Sequence, residues 1–432
     1  PVPGIEGDAN RYPVRYSVLK LVIFPAMIVR PVGENEMIAG HKTLATAFHL
    51  LALASLFAPQ IAQAGKYHVL YRFTGGDNAE SPDSGLVRDD AGNLYGTTPF
   101  GGDNDGIEGI VYRLAPNGTE TVLYNFDDYR NGDTPESALY RDSTTGDLYG
   151  TTFYGGIHNQ GVIFKLTPDG TETVLHSFNG ADSSDGAYPE APLIRDKKGN
   201  FYSTASEGGT SKEGVVYKFA KDGTVTVLHS FSQTDGLFPA SRLKMDKGGN
   251  LYGTAPRGGP SDNGVVFKVT PDGAFTLIHS FTGGKDGTGP VGGVVTDSEG
   301  NLYGATSNGA DVSCFAGPPP GCGTVYKIAP DGKLTVLHTF HGGKDGEIPL
   351  AELFRSKSGT LYGTTAAGGD DNRDGTVFRI DPDGNYRIIH RFNDVDGSGP
   401  AGKLIEANGI LYGTTSYGGN VGGAGVVFSL KE

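Results

Sequence analysis

An all-β, seven-bladed β-propeller of four-stranded blades is the fold that this sequence predicts, and three observations predict it. A phrase written "GNLYGTTPFGG" from Gly92 and "GDLYGTTFYGG" from Gly146 recurs with its Tyr at Tyr95, Tyr149, Tyr202, Tyr252, Tyr303, Tyr362 and Tyr412, at intervals of 50 to 59 residues. Three further phrases recur between those anchors in fixed order, seven times each, all short, rich in Val, Leu, Phe, Tyr and Thr, and bounded by Gly, Asp, Asn or Pro. Helical spacing of apolar residues is absent after Gly65. A unit of four strands and roughly 50 residues is what radial repetition assembles into a propeller.

Within each repeat the "PLIRD" type (192–196, first met as "GLVRD" from Gly85) is strand A, expected innermost. The LYGTT type is strand B, whose Gly and Thr suit a strand pressed between neighbouring blades. The "VVFKL" type (162–166, 265–269) is strand C, and the "TVLHSF" type (173–178, 226–231) is strand D, expected outermost. The first D-type strand, "HVLYRF" at 68–73, has no partners before it, and the last C-type strand, at 426–430, has no D-type strand after it. The N-terminal strand should therefore complete the last blade and close the ring.

Strands A and B join through turns such as "DKKGN" and "DSEGN", and strands C and D through "TPDGT", all compact Asp/Asn/Gly turns. The B–C loops ("PFGGDNDGIEG", "SNGADVSCFAGPPPGCG") and D–A loops ("NGADSSDGAYPEAP") are longer and differ from copy to copy. Function is expected on that face of the disc.

The N-terminus has another character. Residues 37–64, "MIAGHKTLATAFHLLALASLFAPQIAQA", hold a short basic stretch, an apolar core and an Ala62-Gln63-Ala64 cleavage pattern, the signature of a secretory signal peptide. Residues 1–36 carry no repeat and read as an upstream or disordered segment, which leaves 65–432 as the propeller. The chain is acidic, with 35 Lys and Arg against 49 Asp and Glu and a net charge of -14. That balance argues against nucleic acid, which needs clustered cations to displace counterions. No stretch of the repeated region reaches the roughly 20 apolar residues of a membrane span.

The combined pattern "LYGTTxxGG...G.VFKL.PDG..TVLHSF" resembles the GloVer tandem-repeat (choice-of-anchor) family of bacterial secreted, propeller-like proteins. The resemblance runs from Gly65 to Glu432 and implies export and a propeller fold, with no established chemistry.

The His of strand D recurs as His176, His229, His279, His338 and His390, with Tyr124 and Tyr71 in the same position. A residue repeated in nearly every blade reads as part of the blade, and the recurrent Asp-Gly pairs at Asp185, Asp235, Asp286, Asp345 and Asp396 read as turn residues. Positions where one blade differs are more informative. The residue before the Gly-Gly doublet is Phe100, Tyr154, Glu207, Arg257, Asn308, Ala367 and Tyr417 around the ring, so Tyr417, Phe100 and Tyr154 stand on three consecutive blades. They form a candidate stacking floor for a sugar or peptide, with Tyr129, Arg130, Glu207 and Arg257 beside it, or else rings that pack loops onto the disc. His158, the one His in a B–C loop, is the candidate for acid/base work.

Asp370, Asn372 and Asp374 in "DDNRDG" fit half of a calcium loop, but no acidic residue stands where the second half needs one, and solvated turn acids are the plainer reading. Cys314 and Cys322, the only cysteines, read as a disulfide within one long B–C loop. No Ser/His/Asp set, zinc motif or phosphate loop appears, and no cofactor is required. The expected function is a secreted, periplasmic or cell-surface binding or scaffold module, monomeric, presenting variable loops to an extracellular glycan or protein. A polysaccharide-acting lyase or hydrolase on the same face and a structural cell-envelope repeat are the alternatives.

Overall fold

A computed structural model describes residues 66–102, 108–126, 129–311, 313–314, 320–419 and 422–432. The expected signal peptide therefore lies outside the described residues. Seven antiparallel sheets of four strands follow one another along the chain, each in the order A-B-C-D. Blade 1 has strands Val87–Arg88, Leu94–Thr98, Ile110–Leu114 and Glu120–Asn125, and blades 2 to 6 repeat that plan. Blade 7 is built from Ile405–Ala407, Ile410–Thr415 and Val426–Lys431, with Lys66–Arg72 from the start of the propeller as its fourth strand. The ring thus closes as the sequence predicts. Thr414 of blade 7 completes the joint by donating to the carbonyl of Ser84, which leads into blade 1, at 3.0 Å.

The phrase LYGTT owes its residues to three separate contacts. In four blades its Tyr hydroxyl donates to the Asp that follows strand A, Tyr95 to Asp89 at 3.0 Å, Tyr202 to Asp196 at 3.1 Å, Tyr252 to Asp246 at 3.2 Å and Tyr303 to Asp297 at 2.9 Å, whereas Tyr362 donates to Glu432 at 2.8 Å. Its Gly lies across from the aromatic residue of strand C in the same blade; a Cβ on Gly363 would stand 2.4 Å from Phe378, and one on Gly150 2.6 Å from Phe164. The glycine therefore makes room for a ring within its own sheet, which refines the expectation that it serves contact between blades. Its Thr residues are buried, and some cross between blades, as when Thr97 of blade 1 donates to the Ser137 carbonyl at 3.0 Å.

Contact between blades is largely aromatic. The Phe that ends each "LHSF" phrase packs edge-on against the strand C ring of the next blade, from Phe73 on Tyr112 round to Phe392 on Phe428, with centroids 5.0 to 5.4 Å apart at all seven joints. These rings are essentially inaccessible to solvent. Edge-to-face pairs of this kind add to the hydrophobic gain of burial. The short A strands surround an axial channel of about 760 Å³.

Candidate functional site

The B–C and D–A loops lie on one face and are tied to each other. Each D–A loop hydrogen-bonds the B–C loop of its own blade and then that of the next: Thr134 N–H donates to the Glu108 carbonyl at 3.0 Å, and Asp133 exchanges two bonds with Tyr154 at 3.0 and 3.1 Å. The residue before the Gly-Gly doublet is thus held in an antiparallel bridge in every blade, Glu80 with Phe100, Asp133 with Tyr154, Ala187 with Glu207, and so round to Ser398 with Tyr417. The variable side chains of the sequence reading sit on one common scaffold.

Around Tyr154 that scaffold gathers aromatic rings and carboxylates. Phe153 stacks on Tyr188 with centroids 4.8 Å apart, and Tyr154 meets Phe153 at 4.5 Å and Tyr188 at 5.7 Å, both edge-on. Tyr188 adopts a left-handed backbone, φ 56°, immediately before Pro189, and Gln160 donates to its hydroxyl at 3.2 Å. A left-handed backbone is uncommon for a bulky residue and marks local constraint. Beside the rings lies Glu190, whose carboxyl is pushed up to about 8 by burial and by the charge of Glu136, with Ser206 pulling the other way. Tyr154 is raised chiefly by burial, and Tyr188, Glu136, Asp133 and Glu190 all act on it.

The acids belong to a pattern that the sequence reading missed. The residue after the Pro of each D–A loop is Asp83, Glu136 and Glu190 in the loops entering blades 1 to 3, and Ala240, Val291, Leu350 and Ala401 in the other four. One side of the loop face is thus acidic. Tyr417 belongs to that side, since burial raises its phenol and the charges of Asp83 and Glu80 add to the rise. Comparing the blades position by position would have found both Tyr188 and this acid trio, as it found Tyr154.

The remaining expected residues fall as follows. Tyr417 is 39% and Tyr129 56% exposed, Arg257 is exposed, and Phe100 and Glu207 are half-buried. His158 is exposed; Gly156, two residues before it, donates to the Tyr129 carbonyl at 2.6 Å, so the segments bearing His158, Tyr129 and Arg130 are neighbours. Arg130 lies 5.9 Å from the Tyr129 ring centroid. Asp370 accepts from the backbone N–H groups of Asn372 at 3.0 Å and Arg373 at 2.9 Å, an Asx turn, and Asp374 is buried. Among the described residues no three His, Cys, Asp or Glu side chains cluster as a metal would require. Cys314 and Cys322 are joined in a disulfide.

Each of the five strand D histidines faces the Asp of its Asp-Gly turn, with Nε2 to Oδ2 distances of 3.0 to 3.2 Å. The two exceptions change both members together: Asn78 donates to Tyr71 at 2.8 Å and Asn131 to Tyr124 at 3.1 Å. Histidines engaged in this way are components of the loop scaffold.

The chain matches the Gloeobacter/Verrucomicrobia repeat over residues 56–196, 182–314 and 312–432. No curated protein matches it. Among solved structures it is similar to an extracellular domain from B. thetaiotaomicron assigned to a hybrid two-component system, with 10% identity and a TM-score of 0.55, over 84% of this chain and 39% of that one. That likeness is one of fold. A gluconolactonase from Xanthomonas campestris shares 14% identity at a TM-score of 0.42, over 85% of this chain and 89% of that one. Among the described residues no helix is long and apolar enough to cross a membrane.

Proposed function

The chain belongs to the Gloeobacter/Verrucomicrobia repeat family, and on that footing we propose that its propeller is an exported binding module whose loop face at blades 1 to 3 holds an extracellular glycan. The observation that carries this reading is the Phe153, Tyr154 and Tyr188 cluster beside Glu190 and Glu136. Tyrosine rings offer a C–H face of a pyranose a flat apolar surface, while neighbouring carboxyl groups accept hydrogen bonds from its hydroxyls. Export is supported by the leader-like segment 37–64 and by a disulfide, which persists in oxidising compartments.

A glycan-array screen of the purified protein tests the reading. Retained glycans should be lost from a Tyr154→Ala, Tyr188→Ala double variant that keeps its thermal unfolding transition. Retention unchanged by that variant would remove the site.

A second reading has one observation in its favour. Burial and the charge of Glu136 raise the Glu190 carboxyl and favour its acid form, the form that acid-assisted glycoside cleavage requires of one carboxyl group. Turnover of a bound polysaccharide, abolished by Glu190→Gln while binding survives, would make the module an enzyme.

A further inference from the structure

The axial channel holds a set of charges that neither the fold nor the loop face uses. Alternate residues of a strand point to the same side, so each A strand presents residues to the channel at two levels. At the first level lie Arg242, Glu352 and Lys403; at the second lie Lys244 and an apolar wall that includes Val87, Phe354 and Ile405. Lys403 donates to Glu352 Oε1 at 2.6 Å. The Glu352 side chain is only 9% exposed, and its Oε2 is buried without a hydrogen-bond partner. Arg242 and Lys244 enter no ion pair among the described residues. Asp89, Asp90 and Glu406 lie beyond the apolar level, where the A–B turns end the channel.

Three cations, the half-buried Arg242 and Lys244 and the Glu352-paired Lys403, thus stand around one carboxylate at this end of the channel, and like charges held this close repel one another. The strain is visible at Lys403, held below its usual range by burial first and then by Arg242 and Lys244, against the pull of Glu352. An anion entering the channel relieves it. The volume, about 760 Å³, is that of small-molecule sites.

We propose that the channel binds a small organic hydroxycarboxylate, with its carboxylate between Arg242 and Lys244, a hydroxyl donating to Glu352 Oε2, and its C–H face against Phe354 and Ile405. Each contact answers a group of the channel: two cations in no ion pair among the described residues, one acceptor without a hydrogen-bond partner among them, and an apolar wall. This site is separate from the loop-face cluster and does not depend on it.

Calorimetric titration of the full chain with glucuronate, malate and citrate tests the proposal, with methyl glucoside lacking the carboxylate and benzoate lacking the hydroxyl as controls. At least one hydroxycarboxylate should bind about tenfold or more tighter than either control, the discrimination that a charge-assisted hydrogen bond gives. Arg242→Gln and Lys244→Met should each weaken it by about fivefold or more, while Lys221→Ala, on an exposed C–D turn, leaves it unchanged. Should one channel variant fail to fold, the other carries the same test, with folding monitored by circular dichroism. No binding of any hydroxycarboxylate, binding of benzoate at equal strength, or binding indifferent to both channel substitutions would overturn the proposal.

Discussion

His338 lies flat on Tyr386 of the next blade, with ring centroids 3.6 Å apart and planes within 5°, while its Nε2 stands 3.1 Å from Asp345. The Tyr386 hydroxyl in turn donates to the Asp345 carbonyl at 2.8 Å, so strand D of one blade, its D–A loop and strand D of the next are fastened together. His390, Asp396 and Tyr67 repeat the arrangement across the closure of the ring, with His390 and Tyr67 stacked at 3.9 Å.

His338→Ala should cost about 1–3 kcal/mol, from the lost stack and the lost partner of Asp345. Because Tyr71 with Asn78 performs the same task in another blade, His338→Tyr together with Asp345→Asn should cost less than the sum of the two single changes. A double-mutant cycle by urea unfolding measures the difference, expected to exceed about 0.5 kcal/mol.

Gly363→Ala should destabilise the protein by about 1–3 kcal/mol, because the new Cβ stands 2.4 Å from the fully buried Phe378 ring, which must move. Blade 3 carries Ser203 opposite Tyr217, so a Cβ is admissible where the ring is placed for it, and Ser203→Gly should gain nothing comparable. Thermal unfolding of both variants checks the pair.

Removal of residues 66–73 should abolish the single cooperative transition. It takes the fourth strand from blade 7, uncovers the edge of Val426–Lys431 and deletes the Phe73 to Tyr112 joint. An uncovered edge invites pairing with other chains, so light scattering on heating should rise at a lower temperature than in the intact protein.

Glu190 makes stability fall as pH rises. Its folded pKa of about 8 exceeds the ordinary 4.5, so the folded state holds a proton that the unfolded chain gives up between those values. Its contribution is complete below pH 4.5 and is lost on passing through pH 8. Glu190→Gln should therefore raise the unfolding temperature relative to wild type at pH 9, with the difference fading toward pH 5. His229 acts in the opposite direction: burial, opposed by Asp235, lowers its pKa, so its contribution is present above the ordinary 6.5 and is lost on acidification.

The architecture was legible in the sequence because each strand type is written seven times, and repetition separates blade residues from loop residues without an alignment. The His176 and Asp185 relationship was not, because the partners belong to different repeating phrases, nine residues apart across a strand end, and spacing alone does not bring them face to face. The loop-face cluster was half legible. Tyr154 stood out from its counterparts, and Tyr188 fills a position before the D–A loop proline that is left-handed in every blade, but only the fold sets its ring against Phe153. Glu136 and Glu190 draw their character from burial and from each other, which only the folded arrangement supplies.

The most direct test of a loop-face binding module is hydrogen–deuterium exchange with and without a glycan taken from the array. Protection confined to peptides covering 133–136, 153–160 and 187–190 is the predicted result. Protection on the A–B and C–D turns of the opposite face, with those peptides unchanged, would contradict it.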